Sequence, residues 1–301
     1  MSLLWSIERL SVWRPDGTVL VGPERYEIPR RRLIALVGES GSGKTLTLRA
    51  LAGVTPEGLK REMSSPQTTP RTAMVFQDPA SFFNPRWRVG RSLREVLQTV
   101  RGMNRASVDQ ESQALMGQVG LEVGDLRRYP FEMSGGMIQR AGIAMALATQ
   151  PELLLADEIT SALDPELGGR VLMLLHELSR RRDMSVVLVS HDLRAVARVA
   201  DTVRVLYRGR VVEQGPPGSV LSSPRHRYTD LLLRSLPEAG RRGRPLPELA
   251  PVPPGAAPRG CPFRLRCPAA QSDCASMPQW DPRRRYRCHH PVPPPEDLDE
   301  L

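Results

Sequence analysis

Two stretches of this 301-residue chain combine side chains whose types and spacing could do phosphate chemistry. The first is Gly38-Glu39-Ser40-Gly41-Ser42-Gly43-Lys44-Thr45, which fits the pattern G-x-x-x-x-G-K-[ST]. Glycines let the backbone turn tightly and aim its N–H groups at phosphate oxygens. The lysine then reaches the β- and γ-phosphates and the hydroxyl binds Mg2+. A helix starting here would add its partial positive charge. Lys44 is also one of only two lysines in an arginine-dominated chain. The second stretch, LLLADE (153–158), ends an apolar run in two acids. Asp157 can hold the water shell of the metal, and Glu158 can polarise a water attacking the γ-phosphate. Two acids after an apolar run say little alone. Joined to the glycine-rich loop they describe a site for ATP with Mg2+.

A third set is Cys261, Cys267, Cys274 and Cys288, all within 28 residues, with five, six and thirteen residues between them. Four thiolates suit a tetrahedral Zn2+ or an iron–sulfur cluster. The chain shows neither the short C-x-x-C pairs of zinc ribbons nor ferredoxin spacing. Cluster, zinc, and free or regulatory thiols therefore stay open. His289 and His290 read as solvated surface groups.

The elements that must carry these residues alternate in type. LIALVG (33–38) is an apolar strand running into a helix near Gly43, and AMVFQ (73–77) is a second short strand. Helical patterns occupy 90–101, 107–119 and 134–149, followed by a buried strand at 153–157 and a helix at 164–182. SVVLVS (185–190) is another strand, then a helix at 191–199 and a hairpin-like pair, 201–207 with 210–214. Short apolar strands separated by helices predict an α/β fold with a mostly parallel sheet covered on both faces. The helices at about 88–145 form an inserted subdomain. Composition shifts after residue 237: 238–258 reads as a Pro/Arg-rich linker, 259–291 as a small Cys-rich module, and 292–301 as a disordered acidic tail.

The chain holds 42 Lys and Arg against 33 Asp and Glu, a formal charge of +9. Much of the surplus lies in 223–290, where arginines outnumber acids but form no aromatic-interleaved basic groove. A solvated tail explains it first, anionic lipid or an anionic cofactor second, and no nucleic acid is expected. No run of eighteen apolar residues and no signal-like N-terminus is present, which places the expected site of action in the cytoplasm. Thiols there stay reduced, which argues against structural disulfides.

Further motifs complete a resemblance to the ATP-binding subunits of ABC transporters over about residues 3–236. MSGGM (133–137) looks like the signature LSGGQ, Gln77 matches the Q-loop, SALD (161–164) the D-loop, and Ser190-His191-Asp192 the switch-histidine loop. The resemblance implies a P-loop NTPase fold and a head-to-tail pair of ATPase subunits, expected as a heterodimer. Lys44, Gln77, Glu158 and His191 would be catalytic, and Thr45, Gln77 and Asp157 would hold Mg2+. Ser134, Gly135 and Gly136 would cap the ATP bound to the partner, and Asp164 would help join the halves. Trp13 matches the aromatic that stacks on adenine, or is an ordinary core or surface Trp. Ile159 stands where most members have Pro, and Met137 replaces the signature Gln. The 32 residues between Lys44 and Gln77 imply a trimmed β-subdomain around 55–72.

QDPASFFNPRWRVG (77–90), PRHRYTDLLLRSLP (224–237) and GCPFRLRCP (260–268) are similar to segments of the oligopeptide/dipeptide/nickel importers. That branch implies two permease subunits, an extracytoplasmic solute-binding protein, and peripheral attachment at the cytoplasmic face of the membrane. Some members hold a [4Fe–4S] cluster at the cysteines, with Zn2+ as the alternative. The expected role is ATP hydrolysis driving import of oligopeptides or dipeptides. Nickel or metal–opine import is the alternative, and a soluble ATPase acting on nucleic acid or ribosomes ranks below both.

Overall fold

A computed structural model describes residues 2–235, 260–281 and 283–294. The linker expected at 238–258 and residues 295–301 of the expected acidic tail lie outside these. The centre is a six-stranded sheet in the order β5-β6-β7-β3-β8-β9. Its members are β3 (Leu33–Val37), β5 (Thr72–Val75), β6 (Leu153–Asp157), β7 (Ser185–Val189), β8 (Thr202–Tyr207) and β9 (Arg210–Gly215). All neighbours run parallel except the β8–β9 hairpin. LIALV, LLLAD and SVVLV are buried at every position, as strands covered on both faces must be.

Register does the positioning. Leu36 pairs with Val189, and Val189 with Asp157. The carboxyl ends of β3, β6 and β7 therefore form one ledge, the place where open parallel sheets bind ligands. Helix α1 (Lys44–Ala52) follows β3, α5 (Pro165–Arg181) follows β6, and α6 (Leu193–Val199) follows β7. Between β5 and β6 sit α2 (Val89–Arg101), α3 (Arg105–Gln118) and α4 (Gly135–Ala148), the inserted helical subdomain that the periodicity predicts.

Three strands went unpredicted: β1 (Leu3–Trp13), β2 (Val19–Pro29) and β4 (Lys60–Ser64) form an antiparallel sheet in the order β2-β1-β4. Bulges between β1 and β2 break the two-residue alternation, and Gly22-Pro23 inside β2 imitates a turn. Pro23 is tolerated because β2 is an edge strand. The short stretch around 55–72 contributes β4 alone, paired along β1 from Arg9 to Trp13. Two short helices, α7 (Pro217–Ser222) and α8 (Arg227–Arg234), were also not anticipated.

The C-terminal module has little regular structure beyond a single turn at Ser272–Ala275. It packs Cys261, Phe263 and Cys274 into a core with Val37, Val205, Tyr207 and Tyr228, and Arg287 N–H donates to the Val212 carbonyl (2.8 Å). The cysteine module thus lies against the half of the sheet that bears the glycine-rich loop.

Candidate active site

Residues 38–45 leave β3 and enter α1 as the motif requires. Gly38 has φ 146°, and a Cβ there would lie 2.2 Å from the Leu206 carbonyl oxygen; only glycine fits. Gly43, at φ 99°, is the left-handed residue from which α1 starts. Lys44 is 5% exposed, and its Nζ donates to the carbonyls of Gly38 and Glu39, each at 2.9 Å. Burial pushes its pKa down, opposed by the fields of Glu158, Asp157 and Glu39. Thr45 Oγ1 donates to Asp157 Oδ1 at 2.9 Å. Burial pushes the Asp157 carboxyl up, against the pull of that hydrogen bond. A hydroxyl and a carboxylate in contact at the sheet ledge are hard oxygen donors of the kind Mg2+ takes.

Glu158 occupies a left-handed conformation, φ 46°, with its N–H donating to the Val189 carbonyl (3.1 Å). This turns the chain at the end of β6. Ile159, in place of the expected Pro, is 2% exposed and packs into the core on the helical-subdomain side. Gln77 is exposed just beyond β5, and its Nε2 donates to Ser161 Oγ at 3.4 Å. It contacts the segment after Glu158 rather than the Thr45–Asp157 pair. Trp13 ends β1 half-buried, paired across strands with Val19. A Cβ on Gly43 would sit 3.4 Å from the carbonyl of Leu20, the residue after Val19.

The signature lies elsewhere. Ser134 caps α4, its Oγ accepting from Met137 N–H at 3.3 Å. A Cβ on Gly136 would come within 2.4 Å of Leu167 Cδ2, so that glycine permits close packing of α4 on α5. Ser134 and Gly135 are exposed, and no hydrogen bond among the described residues joins them to 38–45. Asp164 is exposed and caps α5 by accepting from Leu167 N–H at 2.9 Å. His191 is exposed and lines a cleft with Pro165 and Glu166 of that helix. One chain therefore unites 38–45, Asp157 and Glu158 but leaves the signature apart from them.

The four cysteines converge, each free of disulfide. The Cys261 thiol is pushed up to about 11, first by burial and then by the fields of Cys288, Cys274 and Cys267. His290 Nε2 lies 2.8 Å from Asp273 Oδ1, an exposed contact beside Cys274. Sequence reasoning also missed Tyr228, Arg266 and Arg287. Arg266 reaches Glu39 of the loop at 2.9 Å, and Arg287 reaches Glu24 of β2 at 2.8 and 3.0 Å. The repeated Arg-Cys dipeptide, 266–267 and 287–288, was the available signal.

The glycine-rich loop, the acidic strand end and the parallel sheet between them define a P-loop ATPase of the ABC type. The ABC transporter family model matches residues 24–161, and the model described as oligopeptide/dipeptide transporter, C-terminal region, matches 212–274. The chain is 35% identical to the dipeptide transport ATP-binding protein DppD of Escherichia coli, covering 97% of this chain and 98% of that protein. It is 36% identical to the oligopeptide transport ATP-binding protein OppD of Salmonella typhimurium, covering 94% and 92%. Among solved structures, cbiO1 from Clostridium perfringens, part of the ABC transporter complex cbiONQ, superposes with TM-score 0.66 at 22% identity, covering 74% of this chain and 92% of that one. The chain belongs to the family of dipeptide and oligopeptide transport ATP-binding proteins. It is an ATPase that uses ATP with Mg2+.

Proposed function

We propose that this chain is the ATP-hydrolysing subunit that energises an importer for oligopeptides or dipeptides, acting at the cytoplasmic face of the membrane. What carries this reading is one observation: an intact Lys44–Thr45–Asp157–Glu158 site in a chain whose C-terminal part matches the oligopeptide/dipeptide region. The names of the relatives support peptides over nickel or metal–opine complexes. No helix among the described residues is long and apolar enough to cross a membrane. Two permease subunits would form the path, fed by a solute-binding protein. The groove of about 530 Å3 lined by Phe82, Val96, Val100 and Met145, beside the Gln77 segment, suits an apolar permease helix.

Within residues 1–237, the ATP-binding domain, Trp13 would stack on adenine and the N–H groups of 38–45 would cradle the phosphates. Lys44 would exchange the carbonyls of Gly38 and Glu39 for phosphate oxygens. Thr45 and Asp157 would hold Mg2+, with Gln77 turning in from Ser161. Bound Mg2+ supplies neutralising charge on the phosphates. Glu158 would orient the attacking water and take its proton, and His191 would contact the γ-phosphate. Positioning and charge supply the acceleration. Exposed Ser134 and Gly135, with Gly136 buried behind them at the start of α4, suit the role of capping ATP on a second ATPase subunit, with Asp164 at the joint. A heterodimer is the expected form.

The 259–291 module would hold an iron–sulfur cluster rather than zinc. One Zn2+ with bonds of about 2.3 Å holds its four sulfurs roughly 3.8 Å apart. Among the described residues, the three ligand atoms within 4.8 Å of one another belong to Asp273, Cys274 and His290, not to three cysteines. Four thiols free of disulfide suit a polynuclear cluster.

The test is isolation of the assembled complex with wild type and Glu158→Gln. The chain should co-isolate with two membrane subunits. The variant should keep ATP binding and lose on the order of 10²-fold or more of phosphate release. Unchanged turnover would overturn the role of Glu158; stable recovery on ribosomes or DNA without membrane subunits would overturn the transport reading.

A further inference from the structure

Glu39 is the one acidic residue of the phosphate-binding loop, and three groups hold it. Its backbone N–H donates to Tyr228 Oη at 2.7 Å. Its carboxylate accepts from Arg266 Nη1 at 2.9 Å and Nη2 at 3.4 Å. Its carbonyl accepts from Lys44 Nζ at 2.9 Å. Tyr228 comes from α8, near the end of the ATP-binding domain, and Arg266 from the cysteine module. They act as a unit: Arg266 Nη1 also donates to Tyr207 Oη at 3.3 Å. Tyr207, Tyr228 and Phe263 pack with ring centroids 4.5 to 5.5 Å apart. The Arg266 side chain is 14% exposed and that of Glu39 33%, so solvent screens this pair only in part, less than it does a surface ion pair.

A carboxylate in a loop that must receive a triphosphate repels its own ligand unless it is neutralised. A glycine-rich loop also has many conformations to lose on binding. The Arg266 fork answers both problems at one residue. It cancels the Glu39 charge, and with Tyr228 it fixes the second residue of the loop before nucleotide arrives. The same arginine immediately precedes Cys267, so the fold of the cysteine module sets where the fork stands.

We propose that Arg266 and Tyr228 are positioning residues for the nucleotide site, holding Glu39 so that docking of the C-terminal cysteine module determines how well the loop binds ATP. This rests on the assignment of residues 38–45 to phosphate binding. The experiment measures binding of a fluorescent ATP analogue with Mg2+ to the purified full chain, with thermal midpoints recorded in parallel. Arg266→Ala should weaken binding roughly ten- to a hundredfold, the scale of a lost charge-assisted hydrogen bond. Arg266→Lys, which keeps the charge but not the fork, should lose less. Adding Glu39→Gln to Arg266→Ala should restore part of the affinity, because the repelling charge is gone. Tyr228→Phe keeps the packed ring and removes only the hydroxyl; it should weaken binding without lowering the midpoint by more than a few degrees. Variants that lower the midpoint yet bind as tightly as wild type would overturn the proposal and leave the two residues as module staples. A double variant no better than Arg266→Ala alone would overturn the charge-cancelling role. A wild type that binds no nucleotide would instead overturn the ATP assignment.

Discussion

Glu158 and Gly38 show how the site uses backbone conformations that most residues avoid. Glu158 is a non-glycine residue at φ 46°, at a cost of roughly 1–2 kcal/mol, and the surrounding sheet over-determines it. Such strain at the residue expected to order the water fits a fixed group that needs no rearrangement during reaction. Gly38 has the stricter requirement: its φ is 146° and a Cβ would meet a backbone oxygen at 2.2 Å. Unlike the approach of Leu167 to Gly136, that clash involves backbone and cannot be relieved by a rotamer change. Gly38→Ala should therefore displace β8 or the loop itself. Nucleotide binding should become undetectable at millimolar ATP and the thermal midpoint should fall. A Gly38→Ala protein with wild-type affinity would show that the loop geometry is not required.

Among the elements, α8 joins the domain to the cysteine module, and its N-terminus carries a histidine whose charge state is decided by burial. His226 is 1% exposed, and its Nδ1 accepts from Tyr228 N–H at 3.0 Å. The ring must therefore be neutral, and burial pushes its pKa from 6.5 down to about 3. The unfolded chain takes up a proton as pH falls through 6.5 while the folded chain does not. The stability this contributes is full above pH 6.5 and is lost progressively down to about 3. The slope reaches ~1.4 kcal/mol per pH unit. His226→Asn keeps a capping acceptor but does not titrate. Denaturant titrations from pH 7 to 4 should show wild type losing stability relative to the variant, and parallel losses would refute this account. Elements also differ in how openly the sequence announces them. The fully buried strands and the amphipathic helices were legible because their patterns are local. β1, β2 and β4 were not, because bulges, an internal Gly-Pro and a mostly exposed β4 erase the alternation.

At the scale of the molecule, ion pairs among the described residues fasten the cysteine module, Arg266 to Glu39 and Arg287 to Glu24, each arginine beside a cysteine. Glu24 is 3% exposed, so its pairing with Arg287 anchors the module on the antiparallel sheet. If the proposed cluster occupies the four thiols, an anaerobic preparation should absorb broadly near ~400 nm and carry iron. Cys267→Ser should lose the colour; a colourless wild type with one zinc per chain would refute the cluster. By itself the sequence determined the nucleotide chemistry. The residues of 38–45 are contiguous, and an apolar strand ending in Asp157 and Glu158 is written in six consecutive letters. Contiguous chemistry survives without a three-dimensional frame. The tertiary structure alone decided what steadies that chemistry. Arg266 and Glu39 are 227 residues apart, and Arg287 and Glu24 are 263 apart. Nothing in a local pattern links such positions; they meet because the cysteine module folds back onto the sheet that bears the loop. The glycine-rich loop was thus legible as a phosphate site, and its dependence on the cysteine module was visible only once the chain had closed.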